Sequence, residues 1–120
     1  MTYGVSPYGG VTMRLLVTDC LEQPIPSDSI AGITYTVYAE NYGERKAVTG
    51  HEKINVSTAC YLEEKQTSAH GGAFNFEHRI SAANALPFPD LNQKYCVVYI
   101  FTDSAGEPHP HEILCFTETT

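Results

Sequence analysis

The chain has no tryptophan, only seven lysine and arginine residues, and no Cys-x-x-Cys pair. Each shortage excludes something. A surface that coats DNA or RNA needs clustered basic side chains to neutralise phosphates, and here the few bases are scattered among 14 acidic residues, for a net charge of −7. No apolar run approaches the ~20 residues of a membrane-spanning helix, so neither a nucleic acid nor a membrane is expected as partner. The start, MTYGVSPYGG, lacks the charged and apolar regions of a secretory signal, and the expectation is synthesis in a reducing cytoplasm without a signal peptide. The missing tryptophan removes the side chain on which sugar-binding platforms lean most. Nor is there a G-x-S-x-G elbow, a P-loop or a dinucleotide glycine fingerprint.

What is present suits a single β-domain. A length of 120 residues fits one domain, and such a chain buries roughly two-thirds of its unfolded surface. The four cysteines, Cys20, Cys60, Cys96 and Cys115, are far apart. Two disulfides would allow three pairings, but a reducing compartment and the apolar runs KYCVVYIF and EILCF favour buried thiols.

Period-2 alternation of apolar and polar residues marks the strands. It predicts seven, at Thr12–Thr18, Ile33–Glu40, Ala47–Thr49, Lys53–Ser57, Ala73–Ile80, Tyr95–Thr102 and Glu112–Thr117. NYGERK reads as a turn, DSAGEPHP as a loop and SAANAL as at most one helical turn, while Thr58–Ala69 is ambiguous. YCVVYIFT is apolar on both faces, as a central strand covered twice should be. The expectation is an all-β fold, a single immunoglobulin-like β-sandwich of about seven antiparallel strands. It would occupy residues 12–120, with residues 1–11 as an extended N-terminal arm.

No constellation predicts catalysis, a metal or a cofactor. His109, His111 and Glu112 lie close in sequence, but a zinc site needs three or four converging ligands, and a Pro-rich loop ordinarily carries solvated histidines. His51-Glu52 is a further isolated pair. His78, on the phenylalanine face of AFNFEHRI, reads as a partly buried histidine bonded to backbone. Glu63 and Glu64, adjacent on a strand, would point to opposite faces. Asp103 to Glu107 reads as turn chemistry, with Asp capping the loop and Gly at positive φ.

The order of motifs adds a resemblance. GITYTVYAE, AVTGHEKINVS, GGAFNFEHRI and FPDLNQKYCVVYIFTDSAGEP together resemble a family of small phage- and prophage-encoded proteins. The matching positions are Tyr35 to Tyr38, Val48 to His51, Asn75 to His78 and Tyr95 to Gly106. That family's genes lie among virion-structure genes, and it carries no known catalytic residues. The resemblance implies a non-enzymatic virion structural protein: a capsid decoration subunit or a neck or tail component, present in multiple copies. Its partners would be other virion proteins, reached through the arm that carries Tyr3 and Tyr8 or by strand addition to an open edge. The alternative is a carbohydrate- or receptor-binding sandwich using Tyr38, Tyr42 and Tyr61.

Overall fold

A computed structural model describes residues 2–6, 9–18, 27–67, 73–83 and 85–117, with the backbone alone for residues 2, 3, 27, 63–67 and 73. The described strands are β1 (Thr2–Val5), β2 (Val11–Leu15), β3 (Ile30–Asn41), β4 (Glu44–Ala47), β5 (Ile54–Val56), β6 (Tyr61–Thr67), β7 (Ala73–Ile80), β8 (Lys94–Asp103) and β9 (Pro108–Thr117). They form two sheets, one ordered β1-β9-β8-β3-β4 with β5 also paired to β3, the other ordered β2-β7-β6. The fold is an all-β sandwich. In immunoglobulin lettering β9-β8-β3-β4 stand as G, F, C and C′, and β2-β7-β6 as B, E and D.

The core lies between the sheets and follows from alternation. Met13, Phe76 and Ile80 come from the small sheet, and Ile33, Val37, Tyr95, Val97, Tyr99, Phe101 and Ile113 from the large one. Phe76 meets the rings of Tyr99 and Phe101 edge-on, at centroid distances of 5.0 and 4.9 Å, the geometry that aromatic quadrupoles favour. Where β2 ends, the buried Asn75 side chain continues the pairing: it accepts from Val17 N at 2.7 Å and donates to Val17 O at 2.9 Å. At the lower end Phe88 packs edge-on against Tyr95 at 5.3 Å, and the Tyr95 hydroxyl accepts from the Asp90 amide at 2.8 Å. That bond is the tyrosine corner of immunoglobulin-like sandwiches, and Val97, two residues on, stands where an antibody domain has its second disulfide cysteine.

The β3–β4 hairpin turns on Tyr42 and Gly43, both at positive φ (51° and 84°), which gives a two-residue loop the twist its strands need. β3 has two partners along one edge, β5 against Ile33–Tyr35 and β4 against Tyr38–Asn41. Between them the bonds Val48 N to Val37 O and Val37 N to His51 O, each 2.8 Å, keep the ladder closed. Gly50 there has φ of 88°, and a Cβ on it would lie 2.7 Å from that of Ala85.

Three sequence expectations are corrected and two open readings are resolved. Part of the expected arm is a strand: β1 runs parallel to β9, Thr2 to Val5 beside Leu114 to Thr117, so the strands are not all antiparallel. The ambiguous segment is a short 3-10 turn at Thr58–Cys60 followed by β6. The fourth strand lies at Glu44–Ala47 rather than Ala47–Thr49, because the turn takes only Tyr42 and Gly43 of NYGERK. β9 begins at Pro108, inside the expected loop. Finally, residues 81–83 and 85–86 carry no helix.

Candidate functional site

Five histidines were the natural candidates for chemistry; His70 lies outside the described residues, and the fold gives each of the other four a different neighbourhood. His51 is buried, 4% exposed, with Nε2 2.9 Å from Ala85 O and Nδ1 2.7 Å from the Tyr35 hydroxyl. A carbonyl only accepts, so in the neutral ring Nε2 carries the proton and the Tyr35 hydroxyl donates to Nδ1. The pair links β3 to the 85–90 loop. His78 is half-buried and bonds through Nδ1 to the Tyr99 hydroxyl at 2.9 Å; its partner is a side chain, not the backbone expected from sequence. Burial holds its pKa below the usual histidine value. His111 meets the Phe101 ring edge-on at 5.5 Å, and burial together with the neighbouring His109 lowers its pKa as well.

His109 and His111 stand on strand β9 and share its inward-turned side, rather than a solvated loop. His109 Nε2 is 3.0 Å from Asp103 Oδ2. The other Asp103 oxygen accepts from the amides of Ala105 and Glu107, each at 2.9 Å, so the expected capping role is what the geometry gives. The hydrogen bond from His109 and those two amides hold the Asp103 carboxyl below its usual range. Among the described residues, Asp103, Glu107 and His109 are the one group whose metal-ligating atoms converge, all within 4.8 Å of one another.

The outer face of the large sheet is the second notable feature. β8 is central, but only its inward face meets the small sheet. Alternation turns Tyr38, Cys96, Val98, Ile100, Leu114 and Phe116 outward, and Leu114 is 39% exposed. An ion-pair bridge crosses this face. Arg45 on β4 extends over it, bonding Glu40 Oε1 at 2.7 Å and Glu112 Oε1 at 2.6 Å, with its guanidinium 6.0 Å from the Tyr38 ring centre. Glu112 is thereby held below the usual carboxylate range. Cys96, at 0% exposure, is a free thiol that burial pushes up to about 11. Cys115 in the core is raised further, to about 12. Both are free, as is the half-buried Cys60, while Cys20 lies outside the described residues.

Other candidates do not assemble. Tyr38 is on the outer face, Tyr42 is fully exposed on its turn, and Tyr61 is buried in the core, so they present no common sugar platform. The side chains of Tyr3, Glu63 and Glu64, and all of Tyr8, lie outside the described residues. A cleft of about 520 Å³ opens between the 46–49 turn and the 85–90 loop. Its walls are mostly alanine, valine, leucine and proline, with Lys46, Thr49, Asp90 and Tyr95 as its polar members, and the Tyr95 hydroxyl there is already engaged by the Asp90 amide.

Sequence alone missed both the Asp103–His109 convergence and the Arg45 bridge, because each depends on which strands are neighbours. The signal for the first was present as Asp103, Glu107 and His109 at the two ends of one hairpin loop. No family model, no curated protein and no solved structure matches this chain.

Proposed function

We propose that this protein is a non-enzymatic structural subunit of a phage particle and works by protein–protein contact through the outer face of its large sheet. The observation that supports contact is that face. Val98, Ile100 and Phe116 are only half-buried and Leu114 is exposed, on a sheet whose other side is already packed. Exposed apolar side chains interspersed with an ion pair, here Arg45–Glu112, are a composition that protein contact patches use. The particle itself is suggested by the order of the strand motifs from Tyr35 to Gly106. Contact is assigned to the face rather than to the N-terminal arm because Thr2–Val5 is already paired with Leu114–Thr117. No helix among the described residues is long and apolar enough to cross a membrane.

The experiment is mass spectrometry of gradient-purified particles from a strain carrying the gene, with wild-type protein and with Ile100→Asp. The wild-type chain should co-purify at fixed stoichiometry, and the variant should fold yet be absent from particles. Particles that contain none of the wild-type protein would overturn the virion assignment. Undiminished incorporation of Ile100→Asp would overturn the choice of face.

A further inference from the structure

The β8–β9 hairpin carries donors arranged in a way that its folding role does not use fully. Asp103 closes β8, Glu107 precedes β9, and His109 stands near the start of β9. The loop between them is fixed by its own backbone: Gly106 N bonds Asp103 O, and Asp103 N bonds Glu107 O, each at 3.0 Å. Ser104 N bonds Ser29 O at 2.9 Å, which ties the loop to the turn before β3. The Asp103 carboxylate is oriented by two amides on Oδ1, leaving Oδ2 toward His109.

We propose that Asp103, Glu107 and His109 form a zinc site that clips this hairpin, with a water completing the tetrahedron. Zinc bonds of about 2.0–2.2 Å to nitrogen and oxygen place neighbouring ligands of a tetrahedron about 3.3–3.5 Å apart. The 3.0 Å between His109 Nε2 and Asp103 Oδ2 is already close to that spacing. The remaining separations, at most 4.8 Å, close with a rotation of the Glu107 side chain, which is exposed and free to make it. One imidazole with two carboxylates suits a borderline ion such as zinc, whereas calcium takes six to eight oxygens. Two carboxylates balance the dication, in a chain whose net charge of −7 already favours cations. The amides on Asp103 Oδ1 act as the outer partners that orient a ligating carboxylate. On binding, the proton between His109 Nε2 and Asp103 Oδ2 leaves for Nδ1 or for solvent, and Nε2 donates its lone pair to the metal.

This inference is independent of the contact reading. It is tested on the full chain, first stripped with a chelator, then titrated with zinc chloride by calorimetry and followed by thermal melting. Zinc should bind at one-to-one stoichiometry and raise the melting temperature, while calcium chloride should do neither. Loss of an outer partner alone typically weakens a metal site 10- to 100-fold, so His109→Ala and Glu107→Gln should each lose at least about tenfold in zinc affinity. His111→Ala, which alters a histidine outside the cluster, should retain it. A melt of each stripped variant confirms that it is folded. Absence of zinc binding by the wild-type chain, or equal binding by folded His109→Ala, would overturn the site.

Discussion

Arg45 on β4 reaches Glu112 on β9 at 2.6 Å, across the two strands that separate them in the sheet. Its guanidinium holds Glu40 on the way, and the two carboxylates keep its own pKa above the ordinary arginine value. The bridge passes over the Tyr38 ring, whose neighbour in register is Cys96, and so is placed to cover a cysteine that points outward yet is fully buried. Arg45→Ala should therefore expose the Cys96 thiol with little loss of fold. Exposed ion pairs are worth about 0–1 kcal/mol, so the melting temperature should move by only a few degrees. Alkylation located by peptide mass spectrometry should show Cys96 modified faster in the variant; an unchanged rate would mean that something other than Arg45 shields it.

Phe76 tests the core. Its ring is fully buried between Tyr99 and Phe101, and Phe76→Ala should cost about 3–5 kcal/mol. Denaturant unfolding with an unchanged midpoint would mean that the ring does not carry the inter-sheet contact.

The tyrosine corner makes a smaller, more local prediction. Tyr95→Phe keeps the packing on Phe88 but removes the acceptor of the Asp90 amide. An unsatisfied, partly buried donor costs about 1–3 kcal/mol. Hydrogen exchange should show the Asp90 amide losing protection, and the strand amides of β8 should keep theirs.

Stability should fall as the solution is acidified below about pH 6.5, the unfolded histidine pKa. His78 and His111 both have folded pKa values below that figure, through burial first. The unfolded chain then binds protons that the folded one refuses, so the stabilisation is complete above the unfolded pKa and drains away as pH drops toward the folded values. Melting temperature against pH should show this slope, and His78→Gln should flatten it. A profile unaffected by His78→Gln would place the effect elsewhere.

Much of the fold was legible because buried strands announce themselves by alternation. Ile33, Tyr35 and Val37, and Tyr95, Val97, Tyr99 and Phe101, all face the core that their period implies. What escaped was set by pairing rather than pattern. Thr2–Val5 is too short to show a period, and its partner lies at the other end of the chain. Tyr61–Thr67 is rich in charge and suits a sheet edge, so it lacks the apolar signal of a central strand. Pro108 and Pro110 disguised the start of β9 as loop, although they sit where that strand has a partner on one side only. For the candidate site, residue types were visible, but the meeting of Asp103 with His109 required the hairpin register.

Those same prolines have a consequence for assembly. β9 would offer a row of free amides along one border of the large sheet, the kind of template on which chains polymerise. β1 occupies the half from Leu114 to Thr117, and Pro108 and Pro110, lacking amide hydrogens, blunt the other half. Stacking of one molecule directly onto β9 is thus disfavoured, and a neighbour approaching its Pro108–Pro110 half must settle on side chains rather than lengthen the sheet there.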